Sequence, residues 1–241
     1  MKIAYFDCFA GASGDMILGS LMDAGLDLGQ LDRELAKLHL THYNLRKIKV
    51  VKKGISGTQA VVSVDEIHHQ HHRNLNAIEE IITKSGLEKT VKQKALAIFR
   101  RLAEAEAKVH QTVINKIHFH EVGAMDAIID VVGCVAGFAV LGIEDIYCSS
   151  LHVGTGMVEC THGILPVPAP ATAELIRGKP VYSTGVEGEL LTPTGAAILT
   201  TLSSGFGSMP EMVPKDISYG AGTSELTIPN LIRVTIGNII S

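Results

Sequence analysis

Two histidines and a group of carboxylates near the middle of the chain have the types and spacing that metal chemistry requires. In Ile117-His118-Phe119-His120-Glu121-Val122-Gly123-Ala124-Met125-Asp126 the imidazoles stand two residues apart, so an extended backbone turns both to one side, with Glu121 directly after them. Imidazole binds borderline divalent ions such as nickel, zinc and copper, and an adjacent carboxylate serves as a further donor or as a proton acceptor. Gly123 permits a sharp turn, after which residues 124–141 read as a helix with Asp126 and Asp130, four apart, on one face. Ile128, Ile129, Val131, Val132, Cys134, Val135, Phe138 and Leu141 make that helix apolar nearly all round, so it belongs in the core. The acids at its start either complement the helix dipole or form part of a site, and for Asp126 both readings stand.

A second group opens the chain. Residues 2–6 read as a short strand, and Asp7-Cys8-Phe9-Ala10-Gly11-Ala12-Ser13-Gly14-Asp15 as a small-residue loop into a helix that Gly25 closes. Gly11, Ser13 and Gly14 are candidates to present N–H groups and a helix N-terminus to an anion, and Asp7 and Asp15 to hold a cation. No Gly-Lys-Ser/Thr follows, so this is not a Walker loop, and a tight glycine turn is the structural alternative. A third group is the tract Ile67-His68-His69-Gln70-His71-His72, whose imidazoles His68, His69, His71 and His72 can capture an ion without fixed geometry. Contiguous side chains cannot all face one ion, so a solvated polar loop is its alternative. Further along, His152 and His162 lie in loops and read either as structural histidines or as site residues. Thr192 is placed to cap a helix that Pro193 begins, with Thr194 in its first turn. His162, Thr192 and Thr194 are the candidate substrate or nucleotide contacts there, while Gly195-Ala196-Ala197 allows close approach of a backbone or a ligand.

The elements that position these groups follow from periodicity and caps. Asp27 caps a helix with Leu28, Leu31, Leu35 and Leu38 on one stripe, and Asn74 opens another that stops near Gly86. Residues 88–111 form a long amphipathic helix ending at His110, read as a dipole partner. Alternation predicts a hairpin over residues 43–64, a small lobe near residues 43–66 with a basic turn. Residues 145–151 read as a strand. Pro166, Pro168 and Pro170 predict an extended segment outside any ladder, ahead of a helix over 171–177. Residues 218–223 read as a glycine loop, and 231–236 as the last strand. The expected fold is α/β (α+β): a mixed sheet from strands near residues 2, 45, 60, 146, 181 and 232, covered by helices, within a single domain spanning 1–241.

At 241 residues the chain is long enough for one sizeable core, and 46% hydrophobic with 19% charged residues is globular. A net charge of −4 without a Lys/Arg run argues against nucleic acid as a partner. No stretch approaches the ~18 uninterrupted apolar residues of a membrane span. Cys8, Cys134, Cys148 and Cys160 form no CxxC pair, which fits reduced thiols in the cytoplasm.

The segments FDCFAGASGDM from residue 6, HHQHHR, IHFHEVGAMDAIIDVVG, VECTHGILPVPAPATAELIRG and ELLTPTGAAI resemble the nickel insertion proteins of nickel-pincer cofactor biosynthesis, the LarC family. The resemblance runs from residue 6 to about residue 198 and implies a CTP-dependent cyclometallase, a lyase-type chelatase. Its members insert Ni²⁺ into pyridinium-3,5-bisthiocarboxylic acid mononucleotide to form the cofactor of lactate racemase and related enzymes. They usually continue into a C-terminal module to which CTP and substrate handling are attributed, and here the chain stops at Ser241. A chelatase needs donors loose enough to surrender the ion, a role expected of His118, His120 and the histidine tract. Making the nickel–carbon bond requires loss of a ring proton, with Glu121 the first candidate base and Asp126 the second. A nucleotide step would place Mg²⁺ or Mn²⁺ on Asp7 and Asp15. A homo-oligomer is expected. The competing reading is a non-catalytic nickel chaperone or store, and a third is a metal-dependent phosphohydrolase.

Overall fold

The structure, a computed structural model, describes residues 1–64, 73–117, 119 and 125–240. The first half runs β1 (Lys2–Asp7), α1 (Gly14–Asp23), α2 (Leu28–Ala36), β2 (Tyr43–Lys52), β3 (Ile55–Val64), α3 (Leu75–Lys84), α4 (Lys89–Val109) and α5 (Met125–Val140). Then come β4 (Asp145–Cys148), β5 (Leu151–His152), β6 (Gly154–Thr155), β7 (Met157–Cys160), β8 (Gly163–Pro166) and α6 (Pro170–Leu175). The chain finishes with β9 (Val181–Tyr182), β10 (Gly188–Glu189), α7 (Pro193–Leu202), β11 (Gly205–Phe206), β12 (Met212–Ala221) and β13 (Leu231–Ile239).

Helix starts fall where the caps demand. Asp27 accepts from the Gln30 N–H at 2.9 Å, Asn74 from Ala77 at 2.9 Å, and Thr192 from Gly195 at 3.2 Å. A mixed sheet of seven strands in the order β11-β4-β1-β13-β12-β3-β2 forms the base. β1 is parallel to β4 and antiparallel to β13, and β12 is antiparallel to β13. On one face Ala4, Phe6, Ile232, Val234 and Ile236 join the core under the helices. The α5 helix packs on α1 through Gly133 and Gly137, at which an added Cβ would meet Leu18, Leu21 and Leu26, and Phe138 meets Phe6 edge-on at 6.0 Å. The other face is more open, with Ile217 59% and Val213 56% exposed.

Four local expectations are revised. The hairpin of β2 and β3 is no separate lobe, because the bridge between Thr58 and Gly220 joins it to the sheet beyond β12. Residues 218–221 end a ten-residue strand, not a loop. Gly220 is there for packing: a Cβ on it would sit 1.7 Å from the Met16 carbonyl oxygen, so α1 lies on the strand only because the side chain is missing. The strand near residue 181 stays outside the main sheet, as β9 pairs with β5 in a two-stranded ladder. Finally, Pro166 closes the β7–β8 ladder opposite Met157, so the proline segment is extended but begins inside a hairpin.

Candidate functional site

The loops that lead into α1 and α7 are locked together. The Ala12 N–H donates to the Leu190 carbonyl at 2.9 Å, and the Thr192 N–H donates to the Ala12 carbonyl at 3.1 Å. Only glycine permits this approach. Gly11, at φ +82°, would place a Cβ 1.9 Å from the Leu190 oxygen, and Gly195 one 2.3 Å from the Ala12 oxygen. Gly195 therefore answers a backbone, and Gly11 serves the loop pairing. The consequence is that the N-termini of two ten-residue helices open side by side on one cavity of about 420 Å³.

Ser13, Gly14, Asp15, Thr192 and Thr194 line this cavity, as do Asp126 and Asp130 from α5 and Glu189 from β10. Glu189 is brought there by pairing with Gly154 of β6. Gly14 faces Asp130 so closely that an added Cβ would lie 2.7 Å from Oδ2. Burial is the main reason that Asp15 holds its proton more tightly than an ordinary aspartate; a hydrogen bond from Ser13 Oγ and the Met16 N–H oppose this, and the Asp126 charge adds to it. Asp130 is pushed well above the usual carboxylate range, first by burial and then by the charges of Asp15 and Asp126. Its Oδ1 is occluded and has no hydrogen-bond partner. Asp126 is the exposed member of the trio, with Oδ1 accepting from the Ala127 N–H at 2.9 Å. Such a set of acids at two electropositive helix ends suits a cation, a shared proton, or an anion bound through a cation. Among the described residues, no three His, Cys, Asp or Glu side chains are gathered closely enough to hold a metal ion by themselves.

Asp7, expected to join Asp15, does not. Strand alternation sends it to the opposite face of the sheet from Phe6, where it is ion-paired with Arg233 and lines another cavity with Tyr5 and Ile217. The expected shared cation site therefore splits, and only Asp15 remains at the cavity. His118, His120, Glu121 and the tract histidines His68, His69, His71 and His72 lie outside the described residues. His152 is packed in the interior: it is 1% exposed, Nε2 lies 2.7 Å from Thr184 Oγ1, its ring meets Tyr182 edge-on at 4.6 Å, and Nδ1 is occluded without a hydrogen-bond partner. Burial lowers its pKa and so favours the neutral ring.

His162 belongs to a second cavity of about 400 Å³, lined also by Glu106, Val109, His110, Cys160 and Leu165. Glu189 and Pro193 line both cavities, so the two adjoin. Sequence reasoning did not find this neighbourhood, nor Glu189 in the wall. For Asp130 the signal was present, since it shares the helix face of Asp126. For His110 and His162, 52 positions apart in number, no local signal exists.

Comparison with known proteins bears on what this arrangement serves. The family model described as "Nickel insertion protein" matches residues 4–240. A protein of Desulfitobacterium hafniense (strain DSM 10664 / DCB-2), named pyridinium-3,5-bisthiocarboxylic acid mononucleotide nickel insertion protein, is 56% identical over 239 residues, which is 99% of this chain and 59% of that protein. The same-named protein of strain Y51 is 55% identical, again over 99% of this chain and 59% of its own length. The chain thus spans about three fifths of the length of these relatives. No solved structure matches it. With a family match over nearly its whole length, the chain belongs to the nickel insertion protein family.

Proposed function

We propose that this chain is the nickel-handling part of a CTP-dependent cyclometallase that inserts Ni²⁺ into pyridinium-3,5-bisthiocarboxylic acid mononucleotide, acting in the cytoplasm as a homo-oligomer. Family membership supports the substrate. The observation that carries the reading is the cavity where the N-termini of α1 and α7 meet Asp15, Asp126 and Asp130, one of whose oxygens is occluded and unpartnered. Helix ends alone would suit a phosphate, and acids alone would repel it. Together they suit a phosphate held with Mg²⁺ or Mn²⁺, which takes one or two protein carboxylates and completes its shell with phosphate oxygens and water. Asp15 and Asp130 would hold that ion, whose charge would offset that of the phosphate.

The chain's own groups then divide the work. The Gly14 N–H and the Thr194 side chain orient phosphate, while the Ser13 hydroxyl donates to Asp15 and the Thr192 hydroxyl is engaged in capping α7. Nickel is the cargo, passed from imidazole to the two thiocarboxylate sulfurs of the substrate. Insertion into the ring displaces one proton, taken up by Glu121 or by Asp126 at the cavity mouth. Burial keeps Asp15 and Asp130 inclined to hold protons, so a divalent ion enters in exchange for them.

The test is reconstitution with Ni²⁺, CTP, Mn²⁺ and the mononucleotide, read as activation of lactate racemase. Asp126→Asn should lower the insertion rate by about 10²-fold or more if Asp126 is the base. Nickel binding without any product, and no change on replacing either Glu121 or Asp126, would replace this reading with that of a nickel chaperone.

A further inference from the structure

The second cavity brings together two imidazoles, one from α4 and one from the β7–β8 turn. His110 is the residue that closes α4, and His162 occupies the turn between β7 and β8. Their ring centroids are 5.0 Å apart and the planes are inclined by 40°. A divalent ion ~2.0–2.1 Å from an imidazole nitrogen lies roughly 3.2 Å from that ring's centroid. Two rings bound at angles between a right angle and the tetrahedral value therefore have centroids about 4.5–5.2 Å apart, which brackets the observed spacing. One turn earlier on α4, Glu106 Oε2 lies 3.4 Å from His110 Nε2. A carboxylate beside an imidazole orients the ring and is the usual support for a histidine ligand.

We propose that His110 and His162 form a two-imidazole station that receives Ni²⁺ and presents it to the substrate in the adjoining cavity. The inference rests on the nickel-insertion reading for the identity of the cargo. Cys160 lies on the same wall, but its Sγ is 3.3 Å from the Gly163 carbonyl oxygen and serves the hairpin turn. His110 and His162 thus offer two nitrogen donors to one ion. Imidazoles hold a borderline divalent ion in a form that two thiocarboxylate sulfurs can take over. Transfer is a ligand exchange: two nickel–nitrogen bonds break as two nickel–sulfur bonds form, and nickel stays divalent. The shared lining residues Glu189 and Pro193 set this station directly beside the substrate cavity.

The test is a Ni²⁺ titration against a competing chelator, in the protein with His68, His69, His71 and His72 replaced by Ala so that the tract does not report. His110→Ala and His162→Ala should each weaken nickel binding by at least tenfold, and Glu106→Gln by roughly tenfold, with the unfolding midpoint unchanged. His162 is exposed in a turn, so its variant reports on binding without disturbing the core. Nickel affinity and stoichiometry identical to the parent in both histidine variants would overturn the proposal. The titration needs no mononucleotide, so it stands or falls apart from the insertion assay: a failed insertion with an intact histidine effect sinks the enzyme reading and leaves the station.

Discussion

The two adjoining cavities are built on opposite principles. The first is fixed by backbone: interlocked loops, glycines with no room for a Cβ, and two helix N-termini beside a group of partly buried acids. The second is made of side chains on the end of a helix and on an exposed hairpin, where Ile164 is 69% and Met157 58% exposed. A rigid, charged wall suits a ligand with a fixed anionic group, and a wall of pliable imidazoles suits an ion that must leave. The contrast makes different predictions for damage to each.

The largest effect is expected where the first cavity is pinned. Gly195→Ala must push apart the Ala12 and Thr192 backbones, since the new Cβ would lie 2.3 Å from a carbonyl oxygen that cannot swing away. Overpacking of this kind costs about 3 kcal/mol, or a fall of roughly 6–12 °C in Tm for a chain of this size. Calorimetry checks the stability, and nickel titration below the new midpoint checks the contrast: binding at His110 and His162 should survive. If both cavities fail together, they are one cooperative unit and the division drawn here is wrong.

Asp130→Asn comes next and should have the opposite sign. Burial raises the folded-state pKa of Asp130, so the protonated acid is the form that folding prefers. Its favourable contribution is complete below the ordinary aspartate range of ~4 and is lost as pH rises through the raised value. The native protein should therefore lose stability from about pH 4 upward relative to the variant. At pH 8 Asp130→Asn should be more stable by roughly 1 kcal/mol in urea unfolding, while Mn²⁺-nucleotide binding falls. Equal pH profiles for the two proteins would mean that the acid is not buried in the way described.

How much of this was legible in the sequence depends on how local the determining contact is. Asp27, Asn74 and Thr192 announce their helices because a cap is satisfied within three residues. The apolar circumference of α5 likewise declares a core helix, and Asp126 and Asp130 share its face as spacing requires. Gly220 misleads, since a glycine between Tyr219 and Ala221 signals a turn, whereas the reason for it is the passage of α1 some two hundred residues away in sequence. The imidazole pair is invisible for the same reason. Its partners come from α4 and the β7–β8 turn, and nothing near either residue encodes the other.

A smaller effect tests whether the α7 end of the first cavity is organised by its cap. Thr192→Ala removes the acceptor for the Gly195 N–H and should cost about 1 kcal/mol, with weakened phosphate affinity because Thr194 is no longer held in place. Thr192→Ser retains the oxygen and should restore both. A loss of stability with no change in phosphate affinity would confine Thr192 to the fold.

The smallest stability effect is expected at Asp7, and it separates two acids that stand eight positions apart on either side of one loop. Asp7 pairs with Arg233 on the open sheet face, with side chains 23% and 45% exposed, so solvent screens the pair and Asp7→Asn should change stability by less than about 0.5 kcal/mol. Asp15 projects into the first cavity and is held there by Ser13. Mn²⁺-nucleotide affinity, measured by calorimetry, should therefore be unaltered in Asp7→Asn and lowered at least tenfold in Asp15→Asn. The distinction follows from strand geometry alone: with Phe6 in the core, the next side chain must point the other way. Equal losses in the two variants would mean that the sheet is no barrier between them and would restore the single cation site that the spacing of Asp7 and Asp15 first suggested.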